Sequence, residues 1–516
     1  IIFIIILLQS STASTQMLDV PLCDNLYFDV YDFIDRMNVR KVVTKVFSNT
    51  LPYSQAEVAE VLVELDKKVK EGQLKLSNVE QHKLEKLIQI FSSDKKIPHL
   101  FQTTGEKHQF YIDLGIGEST LRRGEKTAHG VLFRPTVSGQ IKDDFAFYSD
   151  LKFYYLGNVQ FPDFPKTEVR VAQYPAESQT AALTTYYTKF KLPWFEVFWG
   201  KDNLHWGPGR HGALMISENP LPMNMLKFTA CYNRVKFQMV TGILGSDIDK
   251  KYLTGHRLEL NLWKKLRLGI AETIVYGERV EITYFNPVQI YTVTEIPSKI
   301  IKGEAKETPD NLLISGDFDS VVLRNVELYG EILIDDFRPF AYGLRSYRNW
   351  GSKFGLLFGF YYVDPFSLPD TDFRFEYAFI NQYTYTHKYP INTYTHYDSI
   401  IGHKIGTDAD VLWLNLKHWF AADIAASLTY ELERHGEGNV NKPHEGNKGA
   451  SDNDEWEFLS GVAESTHSIC LGVSYNSIGK CSLALEYTHF WIKNADNQTG
   501  VNKTKDQVIL SGQYRF

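Results

Sequence analysis

The sequence predicts a mainly β protein: a transmembrane antiparallel β-barrel of about 18 strands with a small N-terminal periplasmic helical bundle. After Lys107, stretches such as "HRLELNLW" and "NVELYGEILIDD" alternate between apolar and polar residues to the end of the chain. Each stretch has about ten residues, the length a tilted strand needs to cross a bilayer. Tyr, Phe and Trp collect near the stretch ends, where the aromatic girdles of membrane barrels lie.

Composition fits this class and argues against nucleic acid as a partner. The 516 residues are 43% hydrophobic and 14% aromatic, with 30 Tyr and 33 Phe. The formal net charge is −7. Binding to a phosphate backbone needs a basic face, and no basic run interleaved with aromatics is present.

The first residues, "IIFIIILLQSSTASTQ", predict a signal peptide over residues 1–15 that is truncated at its N terminus. The apolar run is too short to span a bilayer as a helix, and small residues follow it as at a cleavage site. A signal peptide would direct the protein for export, and this is what we expect. The alternative is that these residues form a buried N-terminal strand.

Residues 20–100 predict the periplasmic helical bundle. Leu26, Val30, Phe33 and Met37 fall on one helical face. Two further helices each begin with a capping box, a serine followed three residues later by a glutamate, at Ser54 and at Ser77. We expect this bundle to carry no chemistry.

Residues 105–516 predict the barrel, and the connections between its strands alternate between short and long. This is the pattern of short periplasmic turns and long outer loops. The predicted outer loops begin with "ESTLRRGEKTAHG", and the candidate strand "YFNPVQIY" is assigned to an outer loop because it breaks the alternation. The chain ends on Phe516, as the closing strands of bacterial outer-membrane barrels do. The alternative, a secreted β-sandwich or propeller, lacks a repeat of propeller period.

Five phrases, in order, resemble the Wzi-like capsule assembly proteins. They are "WGKDNLHWGPG", "GHRLELNL", "AETIVYGERVEITYFNPVQIY", "NVELYGEILIDDF" and "IGHKIGTDADVLWLNL". With "VYDFIDRM" and "LPYSQAEVAEVL" near the N terminus, the resemblance covers nearly the whole chain. It implies an 18-stranded barrel in the bacterial outer membrane, with outer loops that close the lumen. It also implies lectin-like binding of capsular polysaccharide without catalysis.

The first candidate site lies in "HWGPGRHG". Gly207 and Gly209 permit a tight bend that would present Trp206, Arg210 and His211 to a glycan, because sugars stack on aromatic rings and polar groups hold their hydroxyls. The alternative is a loop that folds inward only to seat the barrel or to close the pore. His205 and His211 lack the spacing of a zinc site.

The second candidate site is the loop "YTYTHKYPINTYTHYD", in which rings and hydroxyls alternate. Its candidate sugar contacts are Tyr383, Tyr385, Tyr394 and Tyr397. The alternative is an outer aromatic girdle that continues into the loop.

The third candidate is the acidic pair Asp335 and Asp336, expected near the outer rim of the barrel. These carboxylates could hold a divalent cation that bridges anionic glycans, or form an acid/base pair. The alternative is that they cap loop backbone and pair with nearby arginines, namely Arg338, Arg345 or Arg348.

The sequence therefore predicts a non-enzymatic outer-membrane protein that binds or helps to assemble exported polysaccharide. No G-x-S-x-G, P-loop or H-E-x-x-H motif is present, so we expect no catalytic residue, metal or cofactor. The predicted partners are surface polysaccharide, outer-membrane lipid or lipopolysaccharide, and polysaccharide export machinery on the periplasmic side. Two alternatives stay open: a porin for glycans or other solutes, and an outer-membrane hydrolase.

Overall fold

A computed structural model describes residues 17–43, 46–91, 99–157, 169–173, 178–246, 248, 250–262, 266–291, 310–336, 349–444 and 455–516, without the side chains of 169–173, 178, 179 and 336. The predicted signal peptide at residues 1–15 lies outside the described residues.

Eighteen antiparallel strands form a closed barrel, which confirms the predicted fold class. In chain order, β1 to β18 are His108–Arg123, Lys126–Ile141, Phe145–Gly157, Ser178–Lys191, Glu196–Asp202, Met223–Tyr232, Val235–Leu244, Lys251–Leu262, Leu266–Gly277, Asn311–Leu323, Val326–Asp336, Lys353–Val363, Thr371–Ile380, Ala409–Ala421, Ile424–His435, Glu464–Ser477, Cys481–Lys493 and Lys503–Arg515. Each strand pairs with the next, and β18 pairs with β1 to close the barrel. Short extra strands at Phe101–Gly105 and Val169–Gln173 pair with β1 and β4.

Side chains alternate between a polar lumen and an apolar outer wall. In β10, Asp317 and Asp319 are buried inside the barrel, whereas Phe318 between them is 40% exposed on the outside. This is the period-two pattern expected of a barrel with lipid outside and polar groups inside.

The connections alternate as predicted, with one correction. The first outer connection, expected to be long over residues 118–130, is a tight turn at Gly124 and Glu125. The expectation was wrong because β1 and β2 stay paired up to Arg123 and Lys126. Gly124 supplies the positive φ of 61° that so short a turn requires.

The segment "YFNPVQIY" forms no barrel strand, as predicted. Its first residues belong to a 3₁₀ turn at Ile282–Phe285. It follows β9 as part of an outer connection.

Three helices, α1 (Phe28–Val39), α2 (Gln55–Lys70) and α3 (Asn78–Phe91), form the N-terminal bundle. Both predicted capping boxes are present: Ser54 and Glu57 bond reciprocally, as do Ser77 and Glu80. No described helix is both long and apolar enough to cross a lipid bilayer.

The bundle packs against the barrel end that carries the short turns, the end that faces the periplasm in bacterial outer-membrane barrels. Ile478, in the turn between β16 and β17, belongs to the apolar core of the bundle. The Gly479 amide donates to the Leu26 carbonyl at 3.0 Å, and Lys86 pairs with Asp423 in another short turn.

Buried charges also connect the bundle to the barrel. Arg36 on α1 donates to Asp372 of β13 at 2.6 Å and to Glu80 at 2.8 Å. Burial alone would raise the pKa of Glu80, but the guanidinium groups of Arg36 and Arg40 outweigh it and hold that pKa below its ordinary value.

Candidate functional site: the plugged lumen and the outer face

Two chain segments that enter the barrel from opposite ends meet inside it. Thr50–Leu51, which follows α1, pairs antiparallel with His205–Trp206 from the outer loop between β5 and β6. The Gly207 amide also donates to the Asn49 carbonyl at 3.0 Å. Backbone hydrogen bonds therefore join the N-terminal part of the chain to a loop from the cell-surface side.

Trp206 lies at the centre of this junction and is fully buried. Its indole N–H donates to Gln238 Oε1 on the wall at 2.7 Å. The neighbouring Gly207 adopts a φ of 143°, and a Cβ there would lie 2.7 Å from Glu331 Oε2. The expected bend is thus present. It faces the lumen, and protein encloses the indole ring of Trp206.

Two carboxylates on the lumen wall hold the backbone of this loop. Glu376 on β13 accepts from the amides of Arg210 at 2.8 Å and His211 at 3.1 Å. Glu331 on β11 accepts from the amides of Leu214 at 2.8 Å and Met215 at 3.0 Å. Sequence reasoning missed both glutamates, although their even spacing from Glu327 and Arg374 on these strands marks the polar lumen face.

Arg210 and His211 have protein partners inside the barrel. Arg210 donates to Asp35 of α1 through Nε at 2.8 Å and through Nη2 at 3.2 Å. His211 Nε2 lies 2.8 Å from Glu431 Oε2, and its ring stacks on Trp413 at 5.0 Å. The structure therefore brings Trp206, Arg210 and His211 together as parts of one lumen plug.

A neutral histidine packs behind this loop. His403 is fully buried, and its ring centroid is 6.1 Å from that of His211. Burial, with added repulsion from His211 and Lys404, lowers the pKa of His403 well below its ordinary value. The ring thus adds volume but no charge to the plug.

The four candidate tyrosines divide between the plug and the outer face. Tyr385 and Tyr394 are fully buried and stack on each other at 5.5 Å. Their hydroxyls donate to the carbonyls of Leu214 at 2.5 Å and Met215 at 2.9 Å. A second group of tyrosines is accessible: Tyr397 is 48% exposed and Tyr383 is half-buried.

The carboxylate of Asp335 is buried and directed at loop backbone. It accepts from the Tyr385 amide at 2.7 Å, and Lys353 Nζ lies 3.9 Å away. These contacts correspond to the alternative to a cation site or an acid/base pair, in which the carboxylate caps loop backbone. The Asp336 side chain, Arg338, Arg345 and Arg348 lie outside the described residues. Within the described ranges, no group of three or more His, Cys, Asp or Glu side chains is arranged to hold a metal.

Three outer loops meet in an aromatic group that sequence reasoning did not single out. Trp350 and His444 stack with ring centroids 4.1 Å apart and an interplanar angle of 13°. Tyr383 meets the same histidine edge-on at 5.3 Å. We call Trp350, Tyr383 and His444 the outer aromatic cluster. Its members come from loops far apart in sequence. Only Tyr383 was indicated by sequence, because it lies in a loop rich in tyrosine.

The comparisons with known proteins agree with this architecture. A family model described as capsule assembly protein Wzi matches residues 124–507. No curated protein sequence matches the chain. Among solved structures, Escherichia coli Wzi, described as an outer-membrane protein involved in group 1 capsule assembly and a carbohydrate-binding β-barrel, superposes with a TM-score of 0.60 at 15% identity. That match covers 96% of this chain and 98% of Wzi.

Two Pseudomonas aeruginosa structures are more distant. The outer-membrane protein OprD matches at 10% identity and a TM-score of 0.44, over 79% of this chain and 94% of its own. OpdK with vanillate matches at 9% identity and a TM-score of 0.45, over 80% and 98%. Neither likeness is close enough to bear on function. Because the Wzi family model spans most of the sequence, this chain is an outer-membrane β-barrel that belongs to the Wzi family of capsule assembly proteins.

Proposed function

We propose that this protein binds exported polysaccharide, as capsule or exopolysaccharide, at the cell surface and helps to attach or assemble it there without catalysis. The family membership supports this function, and the related Wzi is described as carbohydrate-binding. The observation that carries the proposal is the outer aromatic cluster, which three outer loops build together.

The geometry of the cluster suits sugar binding. Pyranose rings have apolar faces that stack on aromatic side chains, while neighbouring polar groups bond their hydroxyls. The Trp350–His444 stack offers such a platform, and both side chains are only half-buried. Two contacts hold the loops in place: Asn349 bridges to Glu455, and the Glu457 amide donates to Gln382 Oε1 at 3.1 Å. A platform ordered in advance loses less entropy on binding.

The predicted contact residues take different roles in this proposal. Tyr383 and Tyr397 lie where a polysaccharide can reach them, which supports direct contact. Trp206, Tyr385, Tyr394 and Asp335 are buried inside the barrel, and the partly buried Arg210 and His211 are paired with Asp35 and Glu431 there. We propose that this second group holds the plug on which the outer face rests.

The channel hypothesis receives less support. One buried apolar cluster includes Trp206, Leu214 and Tyr385 from the loops and Leu253 and Leu333 from the wall. Side chains from both loops and wall thus pack together across the lumen. A packed cluster of this kind opposes diffusion of solutes through the barrel.

The remaining partners are proposals that rest on position. Export machinery would meet the helical bundle, since the bundle packs at the periplasmic end and α2 presents Val63 at 64% exposure. Membrane lipid would meet the apolar outer wall, where residues such as Phe318 project.

A glycan array probed with the detergent-solubilised protein tests the function, followed by titration of the strongest hit. We expect Trp350→Ala and Tyr383→Ala each to weaken binding about tenfold, the loss of about 1.4 kcal/mol of contact. Trp194→Ala is the matched control, because this tryptophan is 76% exposed in a periplasmic turn. Binding that survives both outer substitutions, or that falls equally with Trp194→Ala, would contradict the proposal.

A further inference from the structure

The segment that follows β9 packs on the outside of the barrel. Strand alternation places Ala271 and Val275 in the lumen core, so Ile274 and Tyr276 lie on the opposite, outer face of the wall. Ile274 and Tyr276 are nonetheless fully buried, because they pack with Tyr284 and Tyr291 of the following segment. We call residues 278–291 the outer flap.

The outer flap descends to the middle of the wall. Its last described residue, Tyr291, donates its amide to Glu272 Oε1 at 2.8 Å. Glu272 lies near the middle of Leu266–Gly277, directly across from His256 in the neighbouring strand. At roughly 3.3 Å per residue, this position is well below the outer end of the strand. The flap therefore covers the upper half of the barrel's membrane-facing surface here.

The flap shields a polar pair that would otherwise face the membrane. His256 Nε2 lies 2.7 Å from Glu272 Oε1 on the outer face of the wall. The ring of Tyr291 covers the histidine, with centroids 4.8 Å apart, and Tyr291 is 1% exposed. Charged groups on the lipid face of a barrel are costly near mid-membrane, so a cover at this place stabilises the wall.

Most of the surface that the flap presents in exchange is apolar, with Thr283 and Asn286 as its exposed polar side chains beyond the charged residues at its start. Its exposed side chains include Ile282 at 76%, Val288 at 79% and Ile290 at 57%. The charged residues Glu278, Arg279 and Glu281 come first, where the flap leaves the end of the strand. The Glu278 amide donates to the Lys250 backbone carbonyl at that end, 3.0 Å away. Charge near the rim and apolar side chains farther down match the layers of a bilayer.

Several backbone amides of the flap are hydrogen-bonded. The amides of Tyr284, Asn286 and Gln289 donate to backbone carbonyls within the flap. The Val288 amide donates to Asn286 Oδ1 at 3.1 Å. Unpaired backbone groups cost several kcal/mol in hydrocarbon, so irregular segments persist there only when such groups are satisfied.

We propose that the outer flap is a membrane-embedded element whose exposed apolar side chains bind the acyl chains of the bilayer around the barrel. The flap surface continues the lipid-facing wall, where Ile270 is 57% exposed and Leu268 is 37% exposed on the same strand. Membrane lipid is thus the occupant that fits both the position and the chemistry. The inference is independent of polysaccharide binding.

Spin labelling tests this placement. The protein carries Val288→Cys in a background in which its four cysteines are replaced by alanine, and it is reconstituted into phosphatidylcholine vesicles. Ile270→Cys marks a lipid-facing wall position, and Asp398→Cys marks an exposed outer-loop position. Ile290→Cys serves as a second flap site if Val288→Cys fails to give a folded barrel on a heat-modifiability gel.

We expect the flap label to match Ile270→Cys, with collisions with oxygen favoured and collisions with a water-soluble nickel chelate suppressed. Nickel accessibility equal to that at Asp398→Cys would overturn the proposal, since the flap would then stand in water. Dipolar broadening between labels on two molecules would also overturn it, because a second copy of the chain would then cover the flap.

Discussion

Arg210 donates two hydrogen bonds to Asp35 inside the barrel, at 2.8 and 3.2 Å. Arg210 belongs to a loop at the barrel end that carries the long connections, and Asp35 belongs to α1 of the helical bundle at the other end. Together with the pairing of Thr50 and Trp206, this contact joins the two ends of the molecule. The plug is therefore one unit rather than two independent caps.

Arg210→Ala is expected to loosen both halves of the plug. Removing one partner of a buried ion pair costs about 3–5 kcal/mol, because the other charge stays buried. Arg374, 3.4 Å from Asp35, compensates in part. Hydrogen–deuterium exchange should rise together in α1 and in residues 203–222. Lys70→Ala, which breaks an exposed pair with Asp66, should leave exchange there unchanged. A rise confined to one side would show that the two segments are not coupled.

Gly207→Val is expected to displace the inward loop. The φ of 143° disfavours a β-branched residue, and the new Cβ would lie 2.8 Å from the Ala213 Cβ as well as close to Glu331. We expect ion conductance across planar bilayers to rise above that of the unaltered protein. Gly157→Ala is the control, because a Cβ there meets open space. Equal conductance for the two variants would mean that this loop does not seal the lumen.

The attachment of the helical bundle is expected to depend on acid pH. The pKa values of Asp32, Glu57 and Glu80 are each lowered: burial opposes ionisation, but neighbouring Lys or Arg charges outweigh it. A carboxylate with a depressed folded-state pKa adds stability above its unfolded pKa, about 4. That stability is lost as the pH falls through the folded-state value.

Proteolysis of the bundle should therefore be slow and constant from neutral pH down to about pH 4, and should accelerate below it. Glu80→Gln should flatten this pH dependence, since it removes one of the three groups. A bundle that becomes more resistant to an acid-stable protease as the pH falls would contradict the assignment.

Most of the fold was predictable because membrane barrels impose strong local rules. The alternation around Phe318 and the capping boxes at Ser54 and Ser77 depend only on neighbouring residues, and all were confirmed. The loop predicted at residues 118–130 was wrong because polar residues in the paired ends of β1 and β2 look like loop residues in sequence.

The site was less predictable, since its contacts join residues far apart in the chain. Nothing near Trp206 indicates that its partners are Gln238 and a strand at Thr50. Trp350 and His444 were overlooked for the same reason, because their stacking depends on how two loops meet. Whether any of these side chains touches polysaccharide stays a prediction.

The most direct test of the proposed function is retention of polysaccharide on cells. Cells that lack this protein would be complemented with the unaltered chain, with the double variant Trp350→Ala/Tyr383→Ala, or with Trp194→Ala. Cell-bound and released polysaccharide would then be quantified. We predict that the double variant releases its polysaccharide into the medium, while the unaltered protein and Trp194→Ala retain it at equal protein levels. Full retention by the double variant would contradict binding through the outer aromatic cluster.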